Sequence, residues 1–334
     1  MSLTLRQKIA QMFITGYSGT DFKKCPEFIE LLNSGLSGVI FFTQNIESAH
    51  QFKTQISEIK KLSKIPLFFS IDQEGGRVER TENIHNGKKY LSAKFAFQKG
   101  EEFLKKQTYE MLSELKEYGI NMNFAPVLDV NTEDINPIIG ERAFSNDTDE
   151  VIRASAVVLE EYKSSGIIPV GKHFPGHGAS KQDSHLTMPQ IDLNFDELKN
   201  NHIRPFKAAI ENGLNAVMVA HVHYSAIDEG DIPASLSKKV IHNILRNDLS
   251  FNGIVISDDM VMGGVASYTP YEACKKGIEA GVNMFIYRNT DKNVLKLVEN
   301  IENAVRTGEI DEGLIDFSLE RIVQIKRHLQ LFSI

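Results

Sequence analysis

The chain has 334 residues, 42% of them hydrophobic and 24% charged, a balance typical of a globular protein rather than a disordered one. Its 37 Lys and Arg against 44 Asp and Glu leave a net charge of −7, which argues against a broadly basic nucleic-acid-binding face. No apolar run approaches the ~20 residues of a membrane helix, and MSLTLRQKIAQMF lacks the unbroken apolar run of a signal peptide. Cys25 and Cys274, far apart, form neither a disulfide framework nor a CxxC metal pair, so a reducing, cytoplasmic location is the expectation.

Taken from the N-terminus, LRQKIAQMFITGY reads as a long helix, with Thr4 and Gln7 at capping-box spacing. Short, nearly continuous apolar runs then follow at 38–42 (GVIFF), 66–71 (PLFFSI), 121–127 (NMNFAPV), 167–172 (IIPVGK), 216–220 (AVMVA), 253–257 (GIVIS) and 282–287 (VNMFIY). Strands buried on both faces of a parallel sheet have this character. Between them, helical periodicity covers roughly 47–63, 100–118, 149–165, 238–247, 268–280, 291–306 and 311–329. Within 100–118, Phe103, Leu104, Met111, Leu112 and Leu115 are expected on one buried face. Asn194 and Glu197 repeat the capping-box spacing, and Gly119, Gly166, Gly213 and Gly281 are placed as left-handed helix C-caps before strands.

Seven β/α units without a Pro/Ser-rich linker predict one α/β domain over residues 1–334. A (β/α)₈-type barrel is favoured over a doubly wound open sheet, because GVIFFTQN carries no glycine fingerprint in its first βα turn. An eighth strand is not evident, so irregular closure is expected.

Charged residues gather after the strands, at the end where both architectures build their sites. Asp72-Gln73-Glu74-Gly75-Gly76 leads to Arg80; Asp129 and Arg142 follow the third run. Lys172-His173-Phe174-Pro175-Gly176-His177 leads to Asp183-Ser184-His185, His221 and His223 follow the fifth run, and Asp258-Asp259 the sixth. Each has a bland reading: Asp258-Asp259 as a helix cap, His173 or His221 as a core histidine, the glycines as turns, Arg80 and Arg142 as surface ion pairs. Their joint occurrence at one end of the fold weakens all of these together.

Three chemistries compete for this cluster. Gly166 to His173 nearly matches a phosphate loop, but His replaces the hydroxyl and the middle is an apolar strand containing Pro169, so that reading fails. A metal-dependent hydrolase could draw on His173, His177, His185, His221, His223, Asp183 and Asp258. Against it, an HxH on a strand sends its rings to opposite faces, and a Pro-Gly pair separates His173 from His177. Glycoside hydrolysis needs a carboxylate nucleophile and a separate proton donor. Asp258 suits the first role, the Asp183–His185 pair the second, and Asp72, Arg80, Arg142 and Lys172 would fix the sugar hydroxyls.

IDQEGGRVER, NFAPVLDV with IGERAF, GKHFPGHGASKQDSH, AHVHYSAID with PASLS, and GIVISDDM resemble glycoside hydrolase family 3, from about residue 5 to residue 290. Within it they are similar to the β-N-acetylglucosaminidase (β-N-acetylhexosaminidase) branch of the cell-wall-recycling type. The resemblance implies a (β/α)₈-like barrel and a retaining exo-glycosidase with Asp258 as nucleophile. It implies His185 as general acid/base with Asp183 as its partner, and Asp72, Arg80, Arg142, Lys172 and His173 at sugar-binding positions. Family β-glucosidases tend to take a Glu acid/base from a second domain, for which this chain is too short. The expected partner is a small carbohydrate, an N-acetylglucosamine-containing muropeptide or disaccharide. No cofactor, metal, nucleic acid or membrane partner is expected, and the chain is expected to be a monomer or weak homodimer. The alternatives left open are the metal-dependent hydrolase, another β-glycosidase specificity or a glycoside phosphorylase, and a non-catalytic sugar binder.

Overall fold

The computed structural model describes residues 3–85, 89–184 and 187–331. Its main sheet is parallel throughout and has nine segments, two of which are one strand interrupted at Val170. The strands are β1 Phe13–Thr15, β2 Gly38–Phe41, β3 Phe68–Ile71 and β4 Met122–Asn123. They continue with β5 (Ile168–Pro169 and Gly171–Phe174), β6 Ala216–Val219, β7 Ile254–Asp259 and β8 Met284–Tyr287. β1 pairs with both β2 and β8. The ring closes through β5: Ile168–Pro169 pairs with β4, Gly171–Phe174 pairs with β6, and Val127 bridges to Lys172. The expected α/β barrel is the observed fold.

All seven apolar runs contain a barrel strand. The eighth is β1, so the expected long N-terminal helix is corrected: it spans Leu5–Ala10, with its Thr4–Gln7 capping box formed, and gives way to strand. Three β-prone residues, Phe13, Ile14 and Thr15, suffice because the neighbours on both sides supply the hydrogen bonds. The Asn194–Glu197 capping box also forms, and Gly119, Gly166, Gly213 and Gly281 all adopt positive φ at helix ends.

Strand alternation divides two cores. Ile14, Ile40, Phe68, Met122, Ile168, Val170, Met218, Ile254, Ile256, Met284 and Ile286 fill the barrel interior, where Ile322 and Ile325 of the last helix (Glu312–His328) join them. Phe13, Val39, Phe41, Phe69, Ile71, Val217, Val219, Val255 and Phe285 belong to the other core, between strands and helices. In helix Glu101–Tyr118 the buried face is Leu104, Thr108, Met111, Leu112, Leu115 and Tyr118; Phe103, expected there, is 38% exposed. Thr108 takes the interior place because its hydroxyl donates to the Leu104 carbonyl at 2.8 Å. No helix among the described residues is long and apolar enough to cross a membrane.

Candidate active site

Apolar strands end where the barrel opens, and the residues just beyond them line a cavity of about 450 Å³. Asp72, Arg77 and Arg80 come from the β3 loop, Arg142 from the β4 loop, and Lys172, His173, His177 and Ser184 from β5 and its loop. Asp258, Asp259 and Met262 come from β7, and Arg288 from β8. Of the residues singled out in the sequence, Asp72, Arg80, Arg142, Lys172, His173 and Asp258 therefore meet around one space. His185 lies outside the described residues; Ser184, just before it, is on the cavity wall. Asp183 is half-buried and its carbonyl accepts the Thr187 amide at 3.2 Å.

One side wall is a charge network. Lys172 Nζ lies 2.7 Å from Asp72 Oδ1 and 2.5 Å from Glu74 Oε1. Arg142 donates to both Glu74 oxygens at 2.8 Å, a bidentate pair. Burial alone would raise the Glu74 carboxyl, but Arg142 and Lys172 outweigh it and hold it well below the usual range. Each charge is thus compensated, so the wall stays fixed while Asp72 and Lys172 present their remaining hydrogen-bonding capacity to the cavity.

Asp129 anchors the other half of the wall from below. Its Oδ2 lies 2.7 Å from His173 Nδ1, and its Oδ1 accepts the His177 amide at 2.6 Å. Burial opposes ionisation of Asp129, and the His173 charge and hydrogen bond outweigh that opposition. This leaves His173 Nε2 facing Arg142, 3.4 Å from its guanidinium. Burial, then the charge of His173, pushes His177 down to about 4, which keeps its ring neutral.

The β7 end separates two adjacent carboxylates. Asp259 bonds Arg288 at 2.5 Å and accepts the Val261 amide at 3.2 Å, so it takes the structural, turn-capping part. Asp258 accepts the Asp259 amide at 2.8 Å and lines the cavity. Burial would raise its carboxyl, yet the charges of His173 and His221, the Asp259 amide and Lys172 together keep it below the usual range. An ionised, fixed carboxylate facing a cavity is what nucleophilic attack requires.

The β3 loop is braced by Gln73, whose Oε1 accepts the Arg80 amide at 2.8 Å. Asn123 of β4 clamps Gln73 in turn, accepting its N–H and donating to its carbonyl, both at 2.9 Å. His85 lies between Glu79 (2.7 Å) and Glu114 (3.1 Å). Burial would lower its pKa, but the two carboxylates push it up to about 9 and so pin the loop to helix Glu101–Tyr118. The Arg80 guanidinium is carried over the Phe42 ring, 5.7 Å from its centre.

Sequence reasoning placed Glu74 and Asp129 at this end of the fold but gave them no role, and did not name Arg288. Arg288 directly follows β8, so the strand-end rule that found the others points to it as well. Three of the donors proposed for a metal have other partners. His221 Nδ1 pairs with Ser235 Oγ at 2.7 Å, His223 Nδ1 with the Ile232 carbonyl at 3.1 Å, and His173 with Asp129. Among the described residues, no three His, Cys, Asp or Glu side chains gather to hold a metal ion.

Comparison with known proteins agrees with this fold. Residues 4–325 match the family described as "Glycosyl hydrolase family 3 N terminal domain". The chain is 32% identical over 300 residues to a beta-hexosaminidase of Nitrosomonas eutropha, covering 85% of this chain and 83% of that protein. It is 35% identical over 285 residues to a beta-hexosaminidase of Haemophilus influenzae, covering 83% and 79%. A solved glycoside hydrolase family 3 beta-N-acetylglucosaminidase from Paenibacillus sp. superposes with a TM-score of 0.93 at 30% identity. That match takes in 99% of this chain and 64% of the longer Paenibacillus chain. With its barrel, its strand-end carboxylates and basic groups, and this match over nearly its whole length, the chain belongs to glycosyl hydrolase family 3.

Proposed function

We propose that this chain is a retaining exo-β-N-acetylglucosaminidase that removes terminal β-linked N-acetylglucosamine from peptidoglycan-derived fragments in the cytoplasm. It acts as a single catalytic barrel domain without a metal. The observation that carries the reading is Asp258: an ionised carboxylate on the cavity wall, kept distinct from Asp259 by the Arg288 pair. The names of the relatives support the acetamido sugar.

In this reading Asp72, Lys172, Arg142, His173 and Arg80 hold the sugar hydroxyls. Asp258 then attacks the anomeric carbon and inverts it once. His185, kept basic by Asp183, gives its proton to the leaving oxygen. Water, deprotonated by the same imidazole, then attacks the glycosyl-Asp258 ester and inverts the centre again, so the β-sugar leaves first.

Hydrolysis of nitrophenyl β-N-acetylglucosaminide, with much slower turnover of the glucoside and xyloside, is the expected result. Proton NMR of the first turnovers should show the β-anomer; an initial α-anomer excludes the covalent route. Asp258→Asn should abolish turnover while the circular dichroism spectrum stays unchanged, and a 2-deoxy-2-fluoro glycoside should label a peptide containing Asp258. A label on Asp259 reassigns the nucleophile.

A further inference from the structure

Two loops must keep register if a proton donor after β5 is to serve a nucleophile on β7, and one buried residue touches both. Ser184 is 2% exposed and stands between Asp183 and His185 in sequence. Its carbonyl accepts the Gly264 amide at 3.1 Å, and its Oγ lies 3.1 Å from His177 Nε2. We infer that Ser184 is a positioning residue: its hydroxyl, held at His177, fixes the peptide whose carbonyl ties the loop bearing the proton donor to the loop bearing the nucleophile. The inference rests on the roles given above to His185 and Asp258.

Both partners are themselves fixed. Gly264 lies six residues after Asp258, in the turn beyond β7, and packs on His221 of the β6 end. A Cβ there would stand 2.4 Å from the His221 carbonyl oxygen and 2.6 Å from its Cβ, so a glycine is what brings this amide within reach of Ser184. His177 is anchored by its amide to Asp129, and its enclosed ring is neutral. A bond between a neutral imidazole and a hydroxyl does not change across the pH range in which a catalytic histidine titrates, so the tie holds in both proton states of the donor.

The neighbouring ties are of a different kind. Lys181 reaches Glu133 at 3.6 Å and Gln182 reaches the Gln190 amide at 3.3 Å, both on the exposed side. Exposed contacts exchange readily with water and fix geometry poorly. Ser184 places its two bonds in the buried wall of the cavity, where a displacement of an ångström in a reacting group is costly to rate.

The test compares leaving groups. Ser184→Ala, Ser184→Thr and His185→Ala are assayed beside wild type on an alkyl β-N-acetylglucosaminide, which needs a proton to leave, and on the dinitrophenyl glycoside, which does not. Ser184→Ala should lose about 10–100-fold in kcat/KM on the alkyl substrate and under about threefold on the dinitrophenyl one, a partial form of the loss in His185→Ala. Ser184→Thr, which keeps the hydroxyl, should regain most of it. The inhibition constant of free N-acetylglucosamine should be unchanged, and azide, a nucleophile that needs no base, should raise kcat of Ser184→Ala on the dinitrophenyl glycoside. Equal losses on both substrates, or none, in Ser184→Ala overturn the inference while His185 keeps its role. If His185→Ala itself shows no dependence on the leaving group, the assignment of His185 fails and this inference fails with it. Should Ser184→Ala not fold, Ser184→Cys, close in volume and a weak donor, is read by the same criteria.

Discussion

Among the described residues two lysines are fully enclosed in this barrel, one at each end, and they are treated in opposite ways. Lys172, at the open end, has its ammonium between Asp72 and Glu74, with Arg142 completing the network. Lys326, at the closed end, has the Gln11 carboxamide oxygen at 2.7 Å and the face of Phe68 at 5.0 Å. Burial pulls its pKa far below the ordinary lysine value, and among the described residues no carboxylate pairs with it to resist the pull. Removal from water costs a cation several kcal/mol, and a contacting carboxylate offsets it only where the geometry is good and further hydrogen bonds are made. The open end holds its charges in compensated pairs on the cavity wall; the closed end holds a lysine that fills space and bonds Gln11, whose Nε2 donates to the Gly35 and Leu36 carbonyls.

The largest effect expected from this contrast is that of Lys172→Met. It leaves Asp72 and Glu74 facing each other without their shared cation, and should cost about 3–5 kcal/mol in urea unfolding along with activity. A cost under about 1 kcal/mol would remove the distinction between the two ends. Glu74→Gln should come next, at about 1.5–3 kcal/mol at neutral pH, through lost charged hydrogen bonds to Arg142 and Lys172. Because Glu74 ionises more easily in the native state, its contribution is present above the ordinary carboxylate pKa and is lost as pH falls through the lower native value. The gap between wild type and variant should therefore narrow on acidification.

Lys326→Met should be the mildest, within about 1.5 kcal/mol at neutral pH, since the side chains match in volume. Its pH dependence runs the other way. The native lysine binds fewer protons than the unfolded one, so wild type should gain on the variant as pH rises from the depressed native value toward about 10.4. Denaturant midpoints of both proteins at a series of pH values check this, other titrating groups being common to the pair. A flat difference would place a cation at the closed end after all.

Much of the barrel was legible because buried parallel strands must be apolar on both faces, which gives runs such as GVIFF and GIVIS. β1 was not, because Met12, Phe13 and Ile14 continue the apolar spacing of the helix before them, and its three residues are strand only by virtue of β2 and β8 on either side. In the site, strand-end position identified Asp72, Lys172, His173 and Asp258. It gave no hint that Glu74 would be the hub, since its partners Arg142 and Lys172 are 68 and 98 residues away and meet it only when the barrel closes. Asp129 was visible as one more charge after a strand. Its holding of both His173 and His177 depends on the path of the β5 loop, which no spacing in the sequence encodes.

The interruption of β5 has a dynamic consequence. Pro169 offers no N–H to β4, β4 is two residues long, and the Val170 amide is divided between the Asn123 and Ala125 carbonyls at 3.0 and 2.9 Å. This line of the barrel has two residues paired in register, against four between β2 and β3 and four between β6 and β7. It is where local opening, seen as early amide exchange, should begin. Asn123 stands on that line and clamps Gln73, which holds the Arg80 amide. Breathing of the β4–β5 seam should therefore reach the arginine at the cavity, whereas the strand leading to Asp258 is paired residue by residue with β6 over Ile254–Ser257.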